Sequence, residues 1–344
     1  MELNKIYQPI GCEMSCLKES LEKEFSFVAQ SLRLKDDYMF AYRGKNLRSA
    51  MFFLSHNIAK NNGKTVSEIS PNTVKIAAAI ELLHTASLYH DDVIDNAKLR
   101  RNGTSANIAY GNATTVLFGD ALFARAFQIL SEAGNMGIIE TLSRTANEMS
   151  IGEINHTINY HYPGCKNLTE NEYFKIIEQK TALLFSACCS CGALAGNTNG
   201  DILKKLSGYG LNLGIAYQII DDCIDLVGDE KTAGKTLKSD SIGGKFTLPI
   251  IYLLQEICNN GKIQYKDYPS LLDIWRENER FQNDAVKKSV GKIQSYINES
   301  KHNLDNMPES VYSGALLGLI DYVGDKTVNI AAYRAAGKGR MKSK

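Results

Sequence analysis

Proline is scarce in this sequence, and long uninterrupted apolar runs are missing. Only 6 of its 344 residues are proline, and few runs alternate apolar and polar residues as half-buried strands do. No uninterrupted apolar stretch reaches the roughly 20 residues that a transmembrane helix needs. No linker rich in serine, glycine and proline divides the chain. These absences argue against a sheet protein, a membrane-spanning protein and a string of separate domains.

An excess of charge of one sign is also missing. The 39 basic and 38 acidic residues give a formal net charge of +1, so nothing global indicates nucleic acid as a partner. Eight cysteines lack the regular spacing of a disulfide framework, and the amino terminus shows no basic and apolar signal peptide. We therefore expect a cytoplasmic protein. Cys188, Cys189 and Cys191 lie in an apolar run, where they are expected as small core residues rather than metal ligands.

Helical spacing of apolar residues recurs along most of the chain and predicts an all-α fold, as in Ile76, Ile80 and Leu83. Breaks are predicted after Asn61, around Arg101 to Gly103, at Tyr162 to Cys165, at Gly196 to Gly200 and from Gly228 to Lys245. We interpret residues 1–325 as one helical bundle domain. Residues 326–344 form a basic tail, either as a frayed end or as a contact with anionic lipid or substrate diphosphate.

The most informative feature is an acidic cluster at the end of an apolar segment, His90-Asp91-Asp92-Val93-Ile94-Asp95. On a helix, Asp91 and Asp95 share a face, while Asp92 is rotated by about 100°. Like charges at this spacing repel each other unless a cation lies between them. Oxygen ligands suit Mg²⁺, which takes a few carboxylates and completes its shell with water and substrate phosphate.

A second cluster has the same pattern, Gln218-Ile219-Ile220-Asp221-Asp222-Cys223-Ile224-Asp225. A single acidic triplet is usually a solvated helix end. Two matching triplets after apolar helices indicate a metal site, because helix bundles build such sites from carboxylates on facing helices. The sequence therefore predicts one site that holds several Mg²⁺ ions.

Three groups of basic residues could hold the anionic substrate that such a site implies. Lys45 and Arg48 are three residues apart near the start of the chain, so one helical face could clamp a phosphate. The other two groups follow the acidic clusters and are Arg100 with Arg101, and Lys235 with Lys245.

From about Lys45 to Leu254, and less clearly to Tyr322, the sequence resembles the trans-isoprenyl diphosphate synthase family, also called polyprenyl synthetases. The first aspartate-rich motif of that family is matched by Leu88-Tyr89-His90-Asp91-Asp92-Val93-Ile94-Asp95-x4-Arg100-Arg101-x-Gly103. The second is matched by Gly214-x-Ala216-Tyr217-Gln218-x2-Asp221-Asp222-x2-Asp225. The lysine-bearing loop that follows it is matched by Gly234-Lys235-x4-Asp240-x3-Gly244-Lys245-x-Thr247-Leu248-Pro249.

The resemblance implies an isoprenoid synthase fold, a single-domain helical bundle with a central active-site cavity, and it implies roles for individual residues. About three Mg²⁺ ions per site would be bound by Asp91, Asp92, Asp95, Asp221, Asp225 and Asp240. Isopentenyl diphosphate would be held by Lys45, Arg48, His84 and Arg101. The allylic diphosphate would be held by Arg100, Lys180, Thr181, Gln218, Lys235 and Lys245. The chemistry would depend most on Asp91, Asp95, Arg100, Lys180, Asp221 and Lys235.

The implied reaction is a prenyl transfer. The allylic diphosphate leaves with help from Mg²⁺ and basic side chains, and the double bond of isopentenyl diphosphate attacks the resulting cation. A proton is then lost to the departing diphosphate, so that no side chain is needed as the base.

Two segments depart from the usual pattern of this family. Around Lys45, the family usually has a second glycine, a second basic residue and a proline, where this chain has Arg43, Asn46 and Ser49. On a middle helix, the pattern Gly-Glu-x-x-Gln becomes Gly152-Glu153-Ile154-Asn155-His156.

Product length depends on the residues before the first acidic cluster. Ala86 and Ser87 are small, whereas short-chain enzymes of the family tend to have aromatic residues there. The resemblance therefore implies an open channel and an all-trans product longer than C20, of the kind used for quinone side chains. Deeper bulk at Leu83, Phe123 or Phe127 would stop elongation; alternatively, Ala86 and Ser87 serve close helix packing.

Other readings remain open at this point. The chain could be a short-chain farnesyl or geranylgeranyl diphosphate synthase, or the active subunit of a heteromeric synthase. A terpene cyclase usually replaces the second aspartate cluster by an Asn/Ser/Glu pattern, so Asp221 to Asp225 argue against it. We expect a homodimer that binds isopentenyl and allylic diphosphates and no nucleic acid, with possible membrane contact through the basic tail.

Overall fold

The computed structural model describes residues 2–31, 44–61, 69–100, 103–161, 169–198, 200–227, 245–259 and 270–340. These ranges are almost entirely helical, which confirms the predicted all-α fold. Their only strands are β1 (Leu99–Arg100) and β2 (Gly103–Thr104), which pair antiparallel. A 3₁₀ turn covers Gln8–Ile10, and a π-helix covers Glu178–Ala182. The α-helices are α1 (Leu3–Ile6), α2 (Gly11–Ser31), α3 (Leu47–Asn61), α4 (Pro71–Ile94), α5 (Ala106–Tyr110), α6 (Asn112–Ala133), α7 (Met136–His161), α8 (Glu170–Ile177), α9 (Leu183–Ala195), α10 (Asp201–Val227), α11 (Leu248–Asn259), α12 (Leu271–Glu277), α13 (Glu279–His302) and α14 (Val311–Arg340).

α9 ends at Ala195, where the sequence predicts a break from Gly196 to Gly200. The start of α4 is also local in origin, because the Ser70 side chain accepts a hydrogen bond from the Asn72 N–H and proline occupies the first helical position.

The chain divides into two compact units. Unit 1 comprises Met1–Ala146, Leu184–Gly210 and Asn303–Leu319, and unit 2 comprises Asn147–Leu183, Leu211–His302 and Ile320–Lys344. In unit 1, α4 packs most extensively against α6, and in unit 2, α11 packs against α13. Each unit carries one of the two acidic clusters.

α6 is the one helix in the described ranges that is long and apolar enough to cross a membrane, judged by length and composition alone. In unit 1 this helix packs along α4, and the ring of Phe118 lies 5.9 Å from that of Tyr89 in an edge-on contact. Helices in the core of a globular protein pass the same test of length and composition.

The cysteine-rich helix α9 belongs to the core, as predicted. Cys188, Cys189 and Cys191 are fully buried. Burial raises the pKa of the Cys189 thiol to about 12, so this thiol stays protonated and is a poor metal ligand. The described cysteines whose pairing the structure shows are free thiols: Cys12, Cys16, Cys188, Cys189, Cys191 and Cys223.

The predicted basic tail begins inside a helix. α14 continues to Arg340, so residues 326–340 extend the helix that starts at Val311. The ammonium group of Lys326 lies 4.7 Å from the ring centroid of Tyr217 and 5.4 Å from that of Tyr322. The first basic residue of this segment is therefore held by aromatic rings of unit 2.

Candidate active site

The first acidic cluster occupies the carboxyl-terminal end of α4. Asp91 lies in the last turn and is half-buried, whereas Asp95 caps the helix and is exposed; its N–H donates to the Asp91 carbonyl at 2.8 Å. This end of a helix carries partial negative charge, which disfavours carboxylates. Acidic side chains concentrated there are stabilised by a cation, which supports a metal-binding role.

Asp92, which was also predicted as a metal ligand, pairs with Arg100. Its carboxylate is fully buried, and one oxygen accepts a hydrogen bond from the Arg100 Nε at 2.8 Å and a second, short one from a terminal nitrogen of the same guanidinium. The β1–β2 hairpin places Arg100 for this contact. Within the first cluster, Asp92 therefore anchors Arg100, whereas Asp91 and Asp95 keep the predicted role of metal ligands.

Two residues predicted to bind isopentenyl diphosphate lie together in unit 1. Arg48, at the start of α3, donates a hydrogen bond of 2.9 Å to Nε2 of His84 on α4, and its guanidinium stacks 4.9 Å from the ring centroid of Phe185. The preceding segment, which carries Lys45, is held by a hydrogen bond of 2.9 Å from the Tyr7 hydroxyl to the Lys45 carbonyl. The structure thus brings a guanidinium and an imidazole to one place.

His90 attaches the acidic end of α4 to α6. Its Nε2 lies 3.1 Å from the Val116 carbonyl and 3.2 Å from an Asp120 carboxylate oxygen. A Cβ on Gly119 would lie 2.2 Å from the same nitrogen, so only glycine leaves room for the imidazole. The ring of Phe123 stacks on His90 at 5.9 Å. Phe123 therefore lies beside His90, at the aspartate end of α4.

The small residues before the first cluster have different environments. Ala86 is fully buried, whereas Ser87 is half-buried on the same helical face as His84 and Asp91. The Ser87 hydroxyl donates to the His84 carbonyl at 2.8 Å, so it satisfies itself within the helix. Leu83 is almost fully buried. Of the two small residues, Ser87 is the one that faces the same way as the predicted ligands.

The second acidic cluster lies in the last turns of α10 in unit 2. Both oxygens of Asp222 accept hydrogen bonds of 2.7 Å, one from the Tyr173 hydroxyl and one from the Gln218 amide. The Gln218 amide oxygen accepts a hydrogen bond of 2.7 Å from the Thr181 hydroxyl. The middle aspartate of each cluster is thus held by side chains, by Arg100 in one and by Tyr173 and Gln218 in the other.

Lys180 and Thr181 lie in the π-helix between α8 and α9. Gly152 of α7 packs directly on this wide turn, since an added Cβ would lie 2.7 Å from Cβ of Gln179 and 3.2 Å from the backbone nitrogen of Lys180. Single π-helical turns are uncommon and often occur at functional sites. The turn sets the direction of two residues that the resemblance assigns to the allylic diphosphate.

A carboxylate on α7 holds Lys180. The Glu153 carboxylate lies 2.6 Å from Nζ of Lys180 and 3.6 Å from Nδ1 of His156. Burial raises the pKa of Glu153, but the neighbouring His156 and the Lys180 charge outweigh it, so that its pKa is held well below the usual range. Burial and the charges of Lys180 and Lys245 lower the pKa of His156. At neutral pH the group is an anionic Glu153 between a cationic Lys180 and a neutral imidazole.

The donor set of both clusters fits Mg²⁺. Asp91, Asp95, Asp221 and Asp225 offer carboxylate oxygens at i and i+4 on two helices, which are hard ligands. Among the residues that the structure describes, no three His, Cys, Asp or Glu side chains converge to hold a metal alone. Water and substrate phosphate are the usual additional ligands of Mg²⁺. The predicted site residues Arg101, Lys235 and Asp240 lie outside the described ranges.

Sequence reasoning did not single out Tyr173 or Glu81 for a role at the site. Tyr173 contacts Asp222 across 49 positions of sequence, and Glu81 contacts Ser49 across 32. The only signal for Glu81 was an acidic residue inside a strongly apolar helix. Nothing in the spacing of Tyr173 marked it.

Comparison with known proteins agrees with this geometry. A family model described as polyprenyl synthetase matches residues 30–289. The chain belongs to the polyprenyl synthetase family. It is therefore a prenyltransferase of the type that elongates trans-prenyl diphosphates, which confirms the reaction that the resemblance implied.

Several characterised members of the family are similar over most of their length. The chain is 33% identical over 254 residues to octaprenyl diphosphate synthase of Escherichia coli (strain K12), covering 74% of this chain and 76% of that protein. It is 30% identical over 330 residues to heptaprenyl diphosphate synthase component 2 of Geobacillus stearothermophilus, covering 95% and 99%. It is 32% identical over 301 residues to geranylgeranyl diphosphate synthase of Saccharolobus solfataricus, covering 83% and 87%.

The fold is also similar to that of a polyprenyl synthase of known structure. A crystal structure of polyprenyl synthase from Caulobacter crescentus CB15, complexed with calcium and isoprenyl diphosphate, superposes with a TM-score of 0.78 at 28% identity. The alignment covers 94% of this chain and 97% of that one. That enzyme has a divalent cation and a diphosphate in its crystal, consistent with the carboxylate-rich clusters described above.

Proposed function

We propose that this polyprenyl synthetase makes an all-trans product longer than C20 by repeated addition of isopentenyl diphosphate to an allylic diphosphate. The observation that carries the proposal is Ser87, a small half-buried residue on the face of α4 that also carries His84 and Asp91. Its hydroxyl is satisfied by its own helix, so an apolar chain would meet no unpaired polar group there. The similarity to octaprenyl and heptaprenyl diphosphate synthases supports the same product class.

Within this function, the two acidic clusters would bind Mg²⁺ through Asp91, Asp95, Asp221 and Asp225, with Asp240 as a further ligand. Bound Mg²⁺ neutralises a diphosphate and makes it a better leaving group. Arg48 and His84, with Lys45 and Arg101, would hold isopentenyl diphosphate. Lys180, Thr181 and Gln218, with Arg100, Lys235 and Lys245, would hold the allylic diphosphate.

The basic side chains act when charge develops on the leaving group. The ammonium of Lys180 is placed by Glu153, so it needs little reorganisation as the carbon–oxygen bond breaks. The nearby imidazole of His156 is neutral, because burial lowers its pKa. We assign the final proton to the departing diphosphate, so the residues of the site need only bind, orient and exclude water.

Product sizing tests this proposal. The purified chain is incubated with farnesyl diphosphate, isopentenyl diphosphate and Mg²⁺, and the dephosphorylated products are separated by reversed-phase chromatography. We expect a ladder that ends above C20. A single C20 product would identify a geranylgeranyl diphosphate synthase instead, and activity only with an added second subunit would identify a heteromeric enzyme.

Aspartate variants test the metal assignment. Asp91→Ala and Asp221→Ala should each lower turnover by orders of magnitude with little change in melting temperature. Asp201→Ala is the matched control, because Asp201 is an exposed carboxylate at the other end of the helix that carries Asp221. Near-normal activity of Asp91→Ala would contradict the assignment.

We further propose that the enzyme is cytoplasmic and forms a homodimer. The free thiols of the described cysteines are consistent with a reducing compartment. Exposed apolar side chains of α5 and α6, Ile108, Val116 and Leu117, support a surface for association. The described residues give no support for membrane contact through the basic tail, since Lys326 lies over two tyrosine rings. Analytical ultracentrifugation and cell fractionation test both points.

A further inference from the structure

A buried carboxylate in α4 bonds to the start of α3. Glu81 is only 6% exposed, yet it lies in an otherwise apolar stretch of α4. One of its oxygens accepts a hydrogen bond of 3.1 Å from the Ser49 N–H and one of 2.8 Å from the Ser49 hydroxyl. That hydroxyl also lies 3.1 Å from the Ala77 carbonyl. A buried charge is costly without such partners, so the contact accounts for Glu81 in the core.

Glu81, which lies on α4, caps the amino-terminal end of α3. α3 begins at Leu47, so the Ser49 N–H is one of the first N–H groups of the helix, which have no partner within it. A carboxylate at this end also meets the positive end of the helix dipole. The polyprenyl synthetase family usually has proline where this chain has Ser49, and proline has no N–H to donate. In this chain, both donors of Ser49 are directed to Glu81.

The capped end of α3 is also the end that carries the basic residues. Arg48 directly precedes Ser49, and its guanidinium is fixed at 2.9 Å from His84, which lies one helical turn beyond Glu81 on α4. Glu81 also lines a cavity of about 210 Å³ together with Gly44 and Asn46, the residues on either side of Lys45. The Glu81 carboxylate therefore bonds to Ser49 at the helical end of the segment from Gly44 to Ser49. Glu81 also shares a cavity with the other end of that segment.

We propose that Glu81 is a positioning residue for isopentenyl diphosphate. By capping α3, it fixes the register of α3 against α4 and so holds Arg48 beside His84 in the orientation that receives the diphosphate. This inference rests on the proposed assignment of Arg48 and His84 to isopentenyl diphosphate. Glu81 does not touch the substrate in this scheme; it acts through the backbone of Ser49.

The test is the binding of isopentenyl diphosphate alone, measured by isothermal titration calorimetry, since this substrate does not react without an allylic partner. Glu81→Gln keeps the shape and an acceptor but loses the charge, and charge-assisted hydrogen bonds are roughly twice as strong as neutral ones. We expect the dissociation constant of isopentenyl diphosphate to rise about tenfold. The KM for farnesyl diphosphate should change less than twofold. Ser49→Ala, which removes one of the two donors, should weaken binding about threefold and serves if Glu81→Gln does not fold.

Tyr209→Phe is the matched control. It removes another buried hydrogen bond of the same unit, from the Tyr209 hydroxyl to the Leu316 carbonyl at 3.0 Å, and should lower the melting temperature without changing affinity for isopentenyl diphosphate. If Tyr209→Phe weakens binding as much as Glu81→Gln does, the effect of Glu81 is general destabilisation and the inference is overturned.

Arg48→Gln separates this inference from the assignment on which it rests. If Arg48→Gln weakens binding strongly and Glu81→Gln leaves it within twofold of wild type, the positioning role fails while the site assignment stands. If Arg48→Gln itself leaves binding unchanged, the site assignment fails and the inference fails with it.

Discussion

Ser87→Phe should shorten the product of this enzyme. Ser87 lies four residues before Asp91 on α4, which is about 6 Å along the helix axis and roughly the reach of one to two isoprene units. A phenyl ring on the face shared with His84 and Asp91 would block a prenyl chain at that depth. The wild-type ladder above C20 should therefore collapse to products of about C10 to C15, because one or two units already reach the obstruction.

The assay starts from dimethylallyl diphosphate, so that short products can form, and sizes the dephosphorylated products by reversed-phase chromatography. Ser87→Ala is the size-matched control and should leave the ladder unchanged. Ala86→Phe is compared with Ser87→Phe, because Ala86 is fully buried. A phenyl ring at Ala86 overpacks the core and should lower the free energy of unfolding by about 1–3 kcal/mol. An unaltered ladder for an active, folded Ser87→Phe enzyme would refute the channel along this face.

Three further predictions concern stability and site geometry. His56 is buried, and burial with the charge of Lys60 lowers its pKa to about 4. In the unfolded chain the same imidazole takes up a proton near pH 6.5, so the free energy of unfolding should fall by up to about 3 kcal/mol as pH drops from 6.5 to 4. Urea titrations across this range should show that His56→Asn removes the slope. Gly152→Ala places a Cβ 2.7 Å from Cβ of Gln179 and should lower kcat at least about tenfold by displacing the π-helix, whereas Gly137→Ala on the same helix, with neighbours no closer than 3.5 Å, should not. Arg100→Met deprives the buried Asp92 of its arginine and should cost about 3 kcal/mol; adding Asp92→Asn should restore at least half of that loss, and a double variant no more stable than Arg100→Met would refute the pairing.

The helices and the two acidic clusters were predictable because they depend on short-range geometry. Apolar residues at helical spacing bury one face wherever they occur, and asparagine and glycine end the pattern, as after Ala195. The i and i+4 spacing of Asp91 and Asp95 sets a shared face without any other part of the chain. The family motifs are equally local, and the comparisons confirmed the prenyl transfer that they implied.

Partners across long separations were not predictable in this way. Asp92 and Asp222 occupy the same position in their clusters, and both are held by side chains, yet one pairs with a nearby arginine and the other with Tyr173 from another helix. Their neighbours Asp91 and Asp221 are half-buried, and no motif says which carboxylate of a cluster faces inward. Phe123 likewise proved to stack on His90, because the alignment of α6 on α4 sets its depth.

By itself, the sequence determined that this chain is helical, that it carries two carboxylate pairs, and that small residues precede the first pair. Periodicity and spacing are properties of one backbone segment, and each such feature needs only a few neighbouring residues. The tertiary structure alone decided that Glu81 caps α3, that a π-helix directs Lys180, and that Ala86 is fully buried while Ser87 is only half-buried. These outcomes depend on how distant helices dock, and docking is set by the shape of the whole packed surface.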